Sequence, residues 1–399
     1  MSDALDRRLR GELDEMRERG TYSEHQTILG RQSAVVELAE HGEVVNLCSN
    51  NYLGLCDEPA VMRGVREGAE RYGAGTSSVR FICGTFAVHG ELEEEIADFL
   101  EMDAAVTYTS CWNANEGLFE PLLDEGDVII SDALNHASII DGIRLARQVH
   151  GVDLKVYDHM DMADLRSKLE ESADYRTRLV ITDGIFSMEG EIAPLPEIRE
   201  LCDEHDAVMA IDDSHATGVL GGTGAGTPEH FGMHGEVDIV TSTLGKALGG
   251  MAGGFTAASE PVVEYLVQQS RTQLFTNAVP PHSAQGALAA VRHLREHPEL
   301  LEKLHDNTAY FRRELEALGY EPIEGDTPIV PIVVGDTADA IALSDRLLER
   351  GAFVVGFGYP VVPRGEARIR CQVSAAHERE HLDRVLDAME AIGTDLALI

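Results

Sequence analysis

Between residues 104 and 258 short apolar runs alternate with longer stretches of helical period. Within the runs, apolar and polar residues do not alternate. Leu179-Val-Ile181 and Ala207-Val-Met-Ala-Ile211 have no polar residue at every second position. A strand with one wet face alternates, so these strands must be covered on both faces. A mainly parallel sheet between two helical layers does this. The candidate strands are 104–109, 127–132, 154–159, 178–184, 207–213, 237–243 and 253–258, which predicts a seven-stranded sheet. Helices are predicted over 113–123, 136–149, 161–172 and 194–205.

The texture changes after this region. Helices at 283–296 and 300–317 precede a strand at 328–334 and a helix at 337–350. Strands at 353–357 and 367–374 and a helix at 378–393 follow. This reads as a smaller α+β domain. The expected organisation is therefore an N-terminal helix and arm over 1–45, a large α/β domain over 46–285, and a small C-terminal domain over 286–399. At 399 residues the chain is long enough for two cores. Residues 1–20 place Leu5, Leu9, Leu13 and Met16 on one helical face. Residues 73–85 form a Gly-punctuated loop that lacks the third glycine and leading strand of a dinucleotide fingerprint.

Charge excludes some functions. The net charge of −38 argues against nucleic acid as a partner, because phosphate contacts need a basic patch. The acid is spread along the chain, which predicts adaptation to concentrated salt, where a Debye length of about 3 Å screens self-repulsion. No apolar run is long enough for a membrane span and the N-terminus has no apolar signal core, so a cytoplasmic protein is expected. The six cysteines are expected to be buried thiols. The 16 histidines are read as lacking metal-ligand spacing, so no metal site is expected.

Lysine is almost absent. Only Lys155, Lys168, Lys246 and Lys303 occur, and arginine fills most other basic positions. Lys246 lies in Thr243-Leu-Gly-Lys-Ala-Leu-Gly-Gly250, just beyond a predicted strand. A lysine amine can lose its proton and attack a carbonyl, whereas arginine cannot. Other polar groups fall at the carboxyl ends of the other strands, where open α/β sheets bind ligands. They are Thr109-Ser-Cys-Trp-Asn113, Asn135-His136, Asp183-Gly-Ile-Phe-Ser187 and Asp212-Asp-Ser-His215. One cofactor, pyridoxal phosphate (PLP), explains the set. Its phosphate suits a helix N-terminus, its ring nitrogen a buried carboxylate, and its aldehyde a lysine.

These segments resemble the α-oxoamine synthase family, PLP enzymes of the aspartate-aminotransferase fold (fold type I), along nearly the whole chain. The motifs are Asn50-Asn-Tyr-Leu-Gly-Leu55, Ser78-Val-Arg-Phe-Ile-Cys-Gly-Thr85, Ser131 to Gly142, Asp183 to Met188, Asp212 to His215, Thr243 to Gly250, Leu274-Phe-Thr-Asn277, and Gly356 to Pro363 leading to Arg368-Ile-Arg370. The resemblance implies that Lys246 holds the cofactor as a Schiff base and acts as acid and base. It implies that His136 stacks on the ring, Asp212 takes the ring nitrogen, and His215 and Ser187 sit at the phenolic oxygen. Cys111 and Trp112 would give backbone amides to the phosphate. Thr243 would add a hydroxyl, and Thr276, with Asn277 beside it, would reach over from the second subunit of a homodimer. Arg370 would grip the amino acid carboxylate, and Asn50 would help to place the substrate.

Within the family, the Ser78–Thr85 loop and the Tyr359–Pro363 stretch look most like the glycine C-acetyltransferase branch. That branch condenses glycine with acetyl-CoA to 2-amino-3-oxobutyrate and CoA in threonine breakdown. The alternative is the 8-amino-7-oxononanoate synthase branch, with alanine and a long acyl-CoA.

Overall fold

The computed structural model describes residues 3–19, 22, 25–359 and 361–399. Pro360, inside the Tyr359–Pro363 motif, and residues 1, 2 and 20 of the predicted N-terminal helix lie outside them.

Two short strands, β1 (Val35–Leu38) and β2 (Gly42–Asn46), pair antiparallel. The seven strands of the main sheet follow: β3 (Ala104–Tyr108), β4 (Val128–Asp132), β5 (Asp153–Tyr157), β6 (Arg178–Asp183), β7 (Val208–Asp212), β8 (Ile239–Thr243) and β9 (Gly254–Ala258). Their spatial order is β3-β9-β8-β7-β6-β4-β5. β4 to β8 are parallel neighbours, and β9 runs against both β3 and β8.

The missing alternation now has its explanation. Ile130, Val180, Met209 and Ile211 enter the apolar cluster on one face of the sheet. Their strand neighbours Ile129, Leu179, Ile181 and Ala210 enter the cluster on the other. Both faces are covered, so every position is under the same apolar demand.

The C-terminal third adds β10 (Ile329–Gly335), β11 (Ala352–Phe353), β12 (Val355–Phe357) and β13 (Ala367–Gln372). β13 lies antiparallel between β10 and β12. The predicted strand over 353–357 is in fact two. β11 pairs parallel with β2, while β12 joins β13, and buried Val354 marks the change of sheet. Val45 and Leu47 accordingly pack with Ile332, Ile369 and Val385 rather than with the main sheet.

Three further expectations are refined. The N-terminal helix forms over Asp3–Glu18 but buries none of its residues; Leu5, Leu9 and Leu13 are 46%, 41% and 39% exposed. The loop over 73–85 contains a wide helical turn at Arg80–Gly84. There Arg80 reaches Glu93 at 2.7 Å and Thr107 at 3.0 Å. Of the six cysteines, Cys111, Cys202 and Cys371 are buried, Cys48 and Cys56 half-buried, and Cys83 exposed. Cys83 sits on that same turn, with Phe81 and Ile82 also exposed. Among the described residues no helix is long and apolar enough to cross a membrane.

Candidate active site

The carboxyl ends of β4, β6, β7 and β8 open into a cleft of about 220 Å³. Its walls include Cys111, Trp112, His136, Ser187, Asp212, His215, Thr243 and Lys246, eight residues predicted from sequence.

The helix Cys111–Leu122 starts at this cleft. Ser110 caps it, its Oγ accepting the Asn113 N–H at 3.1 Å. The amides of Cys111 and Trp112 precede the first helical bond, Ala114 N–H to Ser110 C=O, so they are free to take an anion. The helix start lies hard against β9: a Cβ on Gly254 would stand 2.3 Å from the Cys111 nitrogen. Glycine is the residue that allows this approach.

Asp212 ends β7 and is 5% exposed. Its carboxylate accepts Asn115 Nδ2–H at 2.6 Å and the Ser214 N–H at 2.9 Å. Asn115 is itself wholly buried and takes the Thr241 hydroxyl on its Oδ1 at 2.7 Å. The Cys111 thiol lies 3.7 Å from Asp212; burial and that carboxylate push it well up, so it stays a thiol. The adjacent Asp213 points elsewhere, to Thr217 and Thr227.

His215 is buried, with Nδ1 2.8 Å from the Tyr52 hydroxyl. Burial, then Lys246 and Arg370, hold it well below the usual histidine range. A donating Tyr52 leaves the imidazole proton on Nε2. His136 caps the helix Ala137–His150, its backbone N–H reaching Asp183 at 3.2 Å. Its ring meets Trp112 edge-on, centroids 6.1 Å apart. Burial lowers its pKa as well.

Burial also lowers the pKa of Lys246, against the pull of Asp212 and, more weakly, of Asp183. Desolvation disfavours the ammonium, and a larger amine fraction favours nucleophilic and acid–base work. Asp183, in register with Asp212 across β6 and β7, is 5% exposed. Burial and then Asp212 raise it well above the carboxylate range.

Four predicted residues stand outside the cleft walls. Arg370, on β13, reaches the cleft's edge: its Nη1 donates to the Ser187 carbonyl at 2.8 Å and its buried Nε has no partner. Asn50 is half-buried with an unpartnered Oδ1. Thr276 is half-buried, and Asn277 is exposed and bridges Val79.

Sequence reasoning missed Asn115, and it quoted Tyr52, Ser110, Asp183 and Ser214 within its motifs without giving them a role. Asn115 had a signal: it lies one helical turn after Cys111, a polar residue on a core-facing helix. The reading of the histidines also needs correction. His293 and His297 do have ligand spacing, as do His377-Glu378-x-x-His381 and, as a third pair, His230 and His234. The second pair does not share a helix face, because the helix begins only at Arg379. The first pair stacks ring on ring at 4.2 Å. Among the described residues no group of three or more His, Cys, Asp or Glu side chains could hold a metal ion.

Comparison with known proteins agrees with this geometry. Residues 42–389 match the aminotransferase class I and II family. The mitochondrial 2-amino-3-ketobutyrate coenzyme A ligase of Mus musculus is 46% identical over 386 residues, 96% of this chain and 92% of that protein. The 8-amino-7-oxononanoate synthase 1 of Bacillus velezensis is 45% identical over 391 residues, 98% of each. Among solved structures, the serine palmitoyltransferase of Sphingomonas wittichii superposes with a TM-score of 0.93 at 28% identity, covering 100% of both chains. A second structure with the same score is SPT with PLP bound.

Proposed function

The chain belongs to the α-oxoamine synthase family of PLP-dependent enzymes, and on that premise we propose that it condenses glycine with acetyl-CoA to give 2-amino-3-oxobutyrate and CoA. The observation that carries the glycine branch is the Ser78-Val-Arg-Phe-Ile-Cys-Gly-Thr85 loop, whose Phe81 and Ile82 are 63% and 68% exposed. Two bulky side chains that cap the acyl pocket would suit a short acyl group. A second reading has its own support: the synthase of B. velezensis is as similar as the mouse ligase. In it the substrates are alanine and a long acyl-CoA.

The residues fit PLP. A capped helix start offers two amides to a phosphate. A buried carboxylate held by two N–H donors faces the place for a protonated ring nitrogen. An amine of lowered pKa lines the same cleft. When bound, PLP supplies an electron sink for a carbanion at the amino acid α-carbon. Lys246 Nζ would hold the cofactor and move the α-proton. Asp212 would keep the ring nitrogen protonated, and His215 would donate to the phenolic oxygen from Nε2. Arg370 would take the substrate carboxylate on its free edge, with the planar fork that suits a carboxylate. His136 and Trp112 would cover the ring and exclude water. Thr243 and Ser187 would add polar contacts, and Asn50 would help place the substrate. Thr276 and Asn277 would serve the neighbouring site of a homodimer, since they stand away from their own cleft.

The test is a thiol-release assay in molar salt, pairing glycine or alanine with acetyl-CoA or a long-chain acyl-CoA. Fastest release with glycine and acetyl-CoA is expected. Preference for alanine and the long chain selects the second reading. Lys246→Ala is expected to abolish release with every pair, and retained turnover would overturn the assigned role.

A further inference from the structure

An ionised cluster centred on His159 lies outside the cleft walls. His159 follows β5 and is hydrogen-bonded through both ring nitrogens to carboxylates. Nδ1 is 2.9 Å from Asp132 Oδ1, and Nε2 is 3.1 Å from Glu191 Oε2. A ring that donates from both nitrogens is an imidazolium. Burial lowers its pKa, but Asp132 and Glu191 outweigh that and leave it raised. The ring also packs edge-on against Phe186, centroids 4.3 Å apart.

Each partner belongs to a segment that carries site residues. Asp132 ends β4 and is buried; it also accepts the N–H groups of Leu134 at 2.8 Å and Met160 at 3.0 Å. It therefore fixes the turn that presents Asn135 and His136. Glu191 lies on the return arm of a hairpin closed by the Ile185 and Ile192 bridge. The Phe186 N–H to Glu191 C=O bond at 3.0 Å holds that hairpin together. Its tip is Ser187-Met188-Glu189. The Ser187 carbonyl takes Arg370 Nη1, and Glu189 takes Arg368 at 3.1 Å. His159 is thus the link between the β4 turn and the hairpin on which the Arg370 guanidinium rests.

We propose that His159 is a positioning residue for the amino acid substrate, clipping Asp132 to Glu191 so that the Ser187 hairpin holds Arg370 at the cleft. This rests on the reading above in which Arg370 takes the substrate carboxylate. Neither His159 nor Glu191 touches the reacting atoms. Their effect travels through the hairpin to one end of one substrate, and the acyl-CoA end is unaffected. A misplacement of this kind need only be small, since shifts of about 1 Å at a binding group change rates by up to about 100-fold.

The experiment measures KM for the amino acid, KM for the acyl-CoA, kcat and the thermal midpoint of the holoenzyme. The variants are His159→Phe, His159→Gln, Glu191→Ala, the His159→Phe and Glu191→Ala double variant, and Arg370→Lys. Phenylalanine keeps the ring packing on Phe186 and removes both donors. His159→Phe is expected to raise the amino acid KM on the order of tenfold with the acyl-CoA KM and kcat unchanged, and to lower the thermal midpoint, because buried Asp132 loses a charged partner. Glu191→Ala should raise the amino acid KM in the same way, and the double variant should raise it no further, because both break one link. His159→Gln, which keeps a donor, should recover part of the loss. An unmoved amino acid KM in both single variants, while Arg370→Lys raises it, overturns the clip and leaves the Arg370 reading standing. An unmoved KM in Arg370→Lys overturns that reading and the clip with it. A joint fall of kcat, both affinities and the midpoint would mark a merely structural role and also overturns the proposal. If His159→Phe does not fold, Glu191→Ala decides, since the Glu191 side chain is 36% exposed.

Discussion

Acid should unfold this protein partly through one histidine. His377 is wholly buried just before the last helix. Its Nδ1 accepts the Ser374 N–H at 3.0 Å, and its Nε2 lies 3.0 Å from the Asn46 carbonyl. Both bonds are made by the neutral ring with its proton on Nε2. Burial pushes its pKa down from 6.5 to about 4, the Asn46 carbonyl opposing. The folded state therefore binds its proton less readily than the unfolded chain. The stabilisation is complete above 6.5 and is lost as pH falls towards 4. At about 1.4 kcal/mol per pH unit, this gap is worth roughly 3 kcal/mol. The loss bears on the site, because the Ser374 hydroxyl holds the Asn51 carbonyl at 2.7 Å and Ala375 holds that of Tyr52 at 2.7 Å. These bonds anchor the loop that carries Asn50 and the partner of His215. The assay is guanidinium unfolding across this pH range at constant protein concentration, comparing wild type with His377→Phe. The variant should be less stable near neutral pH, since two backbone groups lose their partner. Its stability should then fall less steeply with acid, by about one proton. Equal acid slopes in the two proteins would refute the argument.

Asn115→Leu removes a donor from Asp212 and the shorter bond of the Thr241 hydroxyl, which keeps the Ile211 carbonyl at 3.4 Å. A hydrogen bond to a charged group is worth about 2 kcal/mol, so kcat is expected to fall about thirtyfold. Steady-state CoA release measures it, and an unchanged kcat would remove Asn115 from the support of Asp212. Gly254→Ala drives a methyl group into the start of the Cys111–Leu122 helix. It should cost about 1–3 kcal/mol of stability and weaken cofactor retention, read by thermal unfolding and by absorbance after gel filtration. Lowering the salt should lower the thermal midpoint as the charge of −38 is unmasked; a midpoint that stays constant or rises would sink the inference of salt adaptation.

The apolar runs determined the sheet. Burial on both faces leaves its mark in each strand, so Leu179, Val180 and Ile181 announced a mainly parallel sheet before any contact was known. The same locality made Lys246, Asp212, His136 and His215 legible, because parallel strands bring their carboxyl ends to one edge whatever their order. Tertiary structure decided the rest. That Asn115 reaches Asp212 depends on how a helix is rotated over β7. That β2 pairs with β11 joins segments some three hundred residues apart, and no local pattern records such a pairing. Histidine spacing showed the opposite failure. His377 and His381 have the intervals of a metal pair, but a helix that starts at Arg379 keeps them off a common face. Sequence fixes which groups are available and at what period they recur. Only the folded backbone fixes which of them meet, because hydrogen bonds and ion pairs depend on distances that the chain does not encode between neighbours.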